Sequence, residues 1–351
     1  MANHPTNALQ SAHLALKNHL QKQNIHISWQ RYGIEALNFM ALGLFCSLIL
    51  GLIIKNIGTW LQLSWLVEIG TQAQAMMGAA IGAGVAHALK APPLVILTSV
   101  STGLAGASMG GAVGAFVAAL IGAEFGKFVH RTTPIDIIVT PMVTLIVGMA
   151  VAGFVSPWID ALMLSLGELI MWAVELSPVL MSVVVAVVMG LMLTLPISSA
   201  AIAISLNLSG LAAGAATIGC VSQMVGFATM SKKDNGISGV LACGLGTSMI
   251  LMPNILKNPK IWLPPTLTSA VLAPFATAMF GMSNIPSGAG MGTSGLVGQV
   301  GTLNAMGMQP STWALMAVFH FILPAFLTWL FAKWCYHKNW IKAGDLTLNQ
   351  S

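Results

Sequence analysis

Two apolar stretches of this chain are broken by small polar residues where a simple membrane span would run on: Pro196-Ile197-Ser198-Ser199-Ala200, and residues 284–295, which read Asn-Ile-Pro-Ser-Gly-Ala-Gly-Met-Gly-Thr-Ser-Gly. Hydrocarbon offers no partner for a free peptide group. Broken backbone at membrane depth therefore survives only where protein buries it or where it lines a water-filled cavity. Paired interruptions of this kind point to a binding site near the bilayer midplane, as in a transporter core.

Composition supports the membrane reading. Of 351 residues, 56% are hydrophobic and only 7% charged, and the mean hydropathy of +0.84 is far from that of an ordinary soluble domain. The 36 glycines and 22 methionines suit close helix packing and irregular apolar gaps. The net charge of +5 is spread over loop-like positions, so the basic stripe that a nucleic-acid partner needs is missing. Cys46, Cys220, Cys243 and Cys335 lie far apart without a CxxC pair and read as small apolar filler. The glycine-rich turn lacks the Gly-Lys-Ser/Thr ending of a phosphate-binding loop, and neither a Ser/His/Asp set nor HExxH is visible. No catalytic residue, metal site or cofactor is expected.

Hydropathy and breakers predict an all-α integral membrane protein with roughly ten membrane-embedded elements, re-entrant hairpins included. Residues 1–31 form a polar, amphipathic tail with Leu9, Ala12, Leu16, Leu20 and Ile25 at near-helical spacing. His4, His13, His19 and His26 read as a solvated face rather than a metal tract. Apolar elements follow at 34–54, 68–89 and 93–127, the last too long for one span and read as a helical hairpin or a kinked pair, with Ser101, Thr102, Gly103, Gly106, Ser108, Gly110, Gly111 and Gly114 in its close-packed bend. Further elements are expected at 134–157, 158–176 and 178–195, and after the first break a helix ends at Lys232-Lys233. Spans at 236–256, 262–282 and 311–334 complete a single domain over 32–336, with a tail at 337–351. Basic residues gather at both ends, which predicts that both termini face the cytoplasm.

Half-helix N-termini aim unpaired N–H groups at a cavity, and hydroxyl and amide side chains both donate and accept, which suits a neutral sugar or polyol. The candidate substrate-binding residues are Ser198, Ser199, Asn207, Gln223, Asn284, Ser287, Thr293, Ser294, Gln299 and His320, with Thr302 and Asn304 extending the polar face. The bland alternative is that these side chains satisfy the broken backbone itself. Glu35 and Asp136 lie near predicted ends, and Glu124 reads as a local surface pair with Lys127. His320 stands inside an apolar span with Pro324 four residues on, so it either settles a kink or faces the cavity.

The string from Leu193-Thr194-Leu195-Pro196-Ile197-Ser198-Ser199-Ala200 through Ser222-Gln223-Met224 to Asn284-Ile285-Pro286-Ser287-Gly288 resembles the enzyme IIC-like membrane proteins of the bacterial phosphotransferase system, in the branch that includes perfringolysin regulator-like proteins. The resemblance covers most of residues 34–334. It implies an inner-membrane permease core, often dimeric, that exposes a sugar to a cytoplasmic phosphorylating partner. No stretch has the composition of a fused phosphocarrier domain, so phosphotransfer would need separate IIA and IIB chains. Three readings stand beside one another: a solute permease, a membrane sensor that binds without transport, and a partner-dependent phosphotransferase subunit.

Overall fold

A computed structural model describes residues 5–348, with side chains described for residues 14–348 other than Asp160 and Ser205. His4 and the side chains of Leu9, Ala12 and His13 lie outside that description. The described chain is helical, and its only β pairing is an isolated antiparallel bridge between Gly210 and Asn284. Among the described residues, five helical stretches are long and apolar enough to cross a membrane: Gln30–Trp60, Pro93–Val129, Asp136–Val174, Gly210–Gly246 and Pro310–His337. Met77–Ala88 and Pro178–Thr194 are shorter apolar helices. The chain divides into two compact units, one of Met1–Gly43 with Met77–Ser156 and one of Leu44–Met76 with Pro157–Ser351.

In the first unit, small residues set the packing distance. A side chain on Gly82 would collide with the Ser99 carbonyl, and one on Gly103 with the Gly78 carbonyl, so Met77–Ala88 lies directly on the helix that begins at Pro93. That helix folds back on itself at Gly110 (φ −154°, ψ 30°) and Gly111 (φ 58°, ψ −144°), and Gly106 and Gly114 meet backbone to backbone across the fold. The expected hairpin is thus present, turning at a residue pair whose second member adopts a conformation open essentially only to glycine. Ser156 Oγ donates to the Met109 carbonyl at 2.5 Å beside the turn.

The same unit corrects the reading of Glu124. Its pair with Lys127 forms at 3.1 Å, but Lys127 is fully buried rather than on a surface. Its ammonium also donates to the carbonyls of Asn24 (2.9 Å) and Leu89 (3.0 Å). Arg31 donates to that same Leu89 carbonyl and to Asn24 Oδ1. A buried ammonium is tolerable only when all its donors are used, and three acceptors meet that condition here. His19 Nε2 contacts the Phe128 carbonyl at 2.8 Å and Gln23 donates to that of His130 at 2.7 Å, so the N-terminal helix Pro5–Lys22 is docked at its C-terminal end rather than loose.

The second unit is built around Gly210–Leu241. The most apolar stretch of the 210–246 segment is 89% buried, against 22–44% for the other four candidate spans. A side chain on Gly219 would strike the Ala186 carbonyl, which brings Pro178–Thr194 against it, and Gly226 gives the same close approach to Thr328 and Pro265. Such a helix meets protein on every side, which is why its sequence is small and polar where a lipid-facing helix would carry large apolar residues.

Three elements differ from expectation. Residues 68–89 are interrupted at Met76, giving Ser64–Ala75 and Met77–Ala88. The segments at 134–157 and 158–176 form one helix, Asp136–Val174, which continues through Pro157. Residues 236–256 are not a straight span: a π-turn (Ala242–Gly246), a 3-10 turn (Ser248–Leu251) and a short helix (Met252–Lys257) follow one another, with extended backbone at Thr247 (φ −158°).

Candidate functional site

The first break begins where Pro178–Thr194 ends. Leu195 is extended (ψ 158°), as a residue before proline is pushed to be, and the chain restarts at Ser199–Ser205 with Ser198 Oγ accepting from Ala201 N at 3.2 Å. The second break starts at the bridge in which Gly210 and Asn284 exchange N–H···O bonds of 3.1 and 3.2 Å. It continues through the single turn Pro286–Ala289 and left-handed backbone at Gly292, Gly295 and Leu296 before Val297–Met306 begins.

The structure brings the two breaks together. Ser199 Oγ donates to the Gly290 carbonyl at 2.7 Å, and a Cβ on Gly290 would lie 2.5 Å from the Ser199 carbonyl oxygen. Thr293 Oγ1 donates to the Gly244 carbonyl and contacts Met224 Sδ at 3.5 Å. Asn56 Nδ2 donates to the Gly295 carbonyl at 2.5 Å. These contacts satisfy backbone that hydrocarbon could not.

Asn284 is the centre of this stitching. It is 2% exposed, and its Nδ2 donates to Thr217 Oγ1 (2.7 Å), the Gly298 carbonyl (2.9 Å) and Thr302 Oγ1 (3.2 Å). Its Oδ1 accepts from Ile285 N at 2.7 Å and lies against Gly288 and Gly301. Asn284, Ser199 and Thr293 are therefore occupied in holding the breaks. Ser198, Asn207 and Ser287 are exposed, as is Asn304.

Among the described residues, Gln223, Gln299 and Ser294 keep polar atoms without a partner. Gln223 donates to Thr266 Oγ1 at 3.1 Å while its Oε1 is buried without a partner. Gln299 Nε2 lies 3.1 Å from His320 Nδ1, and Gln299 Oε1 likewise has no partner. Either orientation of each amide leaves one polar end free. Ser294 Oγ is buried and unpaired, and so is Ser222 Oγ. His320 is 1% exposed and sits in a π-turn, Ala317–Ile322, directly before Pro324. The wider turn absorbs the carbonyl that the proline cannot serve.

Buried polar atoms are nearly always paired; among the described residues unpaired ones also occur away from the breaks, at Ser99 Oγ and Trp262 Nε1 for example, but four stand on the elements that form and flank the two broken helices. They amount to acceptors and hydroxyls suited to the O–H groups of a ligand. Sequence reasoning left out Ser222, which its position in the Ser222-Gln223-Met224 string could have suggested. It also left out Asn56 and Thr266, whose partners lie 239 and 43 residues away along the chain. A groove of about 590 Å³ between Leu263–Pro274 and the 310–337 segment is lined only by apolar side chains, among them Val271, Phe275, Phe280, Val318 and Phe319, and offers nothing to a polar solute.

The family described as Phosphotransferase system, EIIC matches residues 34–348. No curated protein and no solved structure gives a match.

Proposed function

The chain belongs to the EIIC family of the phosphotransferase system and has the function of a membrane permease of that system; on that premise we propose that its solute is a sugar or a closely related carbohydrate. The observation that carries the substrate class is the set of unpaired buried atoms Gln223 Oε1, Ser294 Oγ, Gln299 Oε1 and Ser222 Oγ. A polyhydroxylated neutral molecule supplies donors and acceptors in comparable number, whereas a bare cation would want carboxylates and a phosphate would want Arg or Lys. The candidate substrate contacts are Gln223, Ser294, Gln299 and His320. Ser199, Asn284 and Thr293 hold the backbone that presents them.

Lys17, Lys22 and Arg31 near one end and Lys333, Lys338 and Lys342 near the other support an inner-membrane orientation with both termini cytoplasmic. Separate chains of the IIA and IIB type are the proposed phosphoryl donors, and a homodimer is the proposed assembly. Uptake of radiolabelled sugars into proteoliposomes tests the solute, with and without those chains inside. Saturable uptake of one sugar, lowered about tenfold by Gln299→Ala, is the expected result. Binding without flux under every condition would instead mean a sensor, and no response to any sugar would overturn the carbohydrate assignment.

A further inference from the structure

The C-terminal segment is gripped by side chains rather than by regular secondary structure. Asn235 pairs with it twice, its Nδ2 donating to the Leu346 carbonyl (2.7 Å) and its Oδ1 accepting from Leu348 N (2.8 Å). Asp234 Oδ2 accepts from Gly344 N (3.1 Å) and Leu346 N (3.2 Å). Asn254 Nδ2 donates to the carbonyls of Asp345 and Thr347, both at 2.9 Å. Asn258 Nδ2 donates to the Trp340 carbonyl (3.0 Å) and to Asp345 Oδ2 (2.7 Å), and that carboxylate also accepts from Lys342 N (2.9 Å). Beneath these bonds Ile341, Leu346 and Leu348 are buried in one apolar cluster with Phe227, Ile255 and Ile261. Donors and acceptors matched to both edges of a peptide backbone hold it much as an added strand would.

The four gripping residues stand on two elements that lead to the candidate site. Asp234 and Asn235 precede the non-helical Gly236 of Gly210–Leu241. Asn254 and Asn258 lie at the far end of the irregular connection whose Gly244 carbonyl holds Thr293. In the same connection Ser248 Oγ meets Thr194 Oγ1 at 2.9 Å, just before the first break. A connection without continuous helical bonding is readily displaced unless something ties both its ends.

We propose that residues 341–348 are a clasp that fixes this 242–258 connection against Gly210–Leu241, so that Asn254 and Asn258 act as positioning residues for the second break through Thr293. The proposal rests on the permease reading above. Its test uses the full-length chain in lipid nanodiscs and proteoliposomes, comparing wild type with Asn254→Ala, Asn258→Ala and the pair. Hydrogen exchange is followed at the amides of 344, 346 and 348 and over 244–251, together with the KM and kcat of sugar uptake.

In the double variant the tail amides and residues 244–251 should both exchange about tenfold faster, and KM should rise about fivefold with kcat little changed. If the pair does not fold, the single variants should show the same changes at smaller size. Unprotected tail amides in the wild type would overturn the clasp. Release of the tail with 244–251 and KM unmoved would overturn its coupling to the site. If wild type takes up no sugar, the carbohydrate assignment fails on its own, while exchange over 244–251 still supports or overturns the clasp.

Discussion

Asn284 and Gln299 are both buried amides in the second break, yet they have opposite standing. Every polar atom of the Asn284 side chain is used, and its removal would leave Ile285 N without its acceptor and take a donor from Thr217 Oγ1, Thr302 Oγ1 and the Gly298 carbonyl, which keep only the Thr217–Ala213 and Thr302–Gly298 bonds. Asn284→Ala should therefore destabilise the fold by about 3 kcal/mol, seen as a lower midpoint of thermal unfolding in detergent, with uptake lost in parallel. Gln299 has a free carbonyl and a single partner in His320. Gln299→Ala should leave the midpoint within a few degrees of wild type while uptake falls about tenfold. A midpoint that fell as far as for Asn284→Ala would make Gln299 another structural staple. Composition and position suggested both residues alike. Only their partners separate them, because an amide's role depends on whether its atoms are already bonded.

At the scale of elements, breakers were more legible than boundaries. The run of small residues from Ser101 to Gly114 announces a hairpin or a kink, and the structure turns within it, at Gly110 and Gly111. Gly111→Ala meets no steric neighbour, so its whole effect is conformational, and a loss of about 1–3 kcal/mol in unfolding free energy is expected. Gly219→Ala meets the Ala186 carbonyl instead, and should separate Pro178–Thr194 from its neighbour at a cost of about 2–4 kcal/mol, measured by denaturant or thermal unfolding. Equal stability of Gly219→Ala and wild type would show that the two helices slide apart freely. The 236–256 segment has the hydropathy of a span but not its regular helix. Its π-turn and 3-10 turn follow from where Thr293 and Thr194 find partners, which no local window contains.

For the whole molecule, a sugar that binds the site should raise the unfolding midpoint in a saturable way, by the equivalent of about 2.7 kcal/mol at a hundredfold excess over Kd. The same sugar should appear in phosphorylated form only when separate phosphoryl-donor chains are supplied, assayed by chromatography of the vesicle contents. The sequence by itself determined the membrane class, the helical architecture, the two breaks and the family, since each follows from hydropathy, from proline and glycine chemistry, or from local strings of residues. It also suggested which side chains were polar and deep. What it left undecided was their division of labour: Ser199 bonded to Gly290, Asn284 saturated, Gln223 and Gln299 each with a free end, Lys127 buried rather than exposed, and a tail clasped by Asn235, Asn254 and Asn258. Those outcomes were decided by tertiary structure. Hydropathy is a property of a segment, whereas hydrogen-bond satisfaction belongs to pairs of groups brought together from distant parts of the chain.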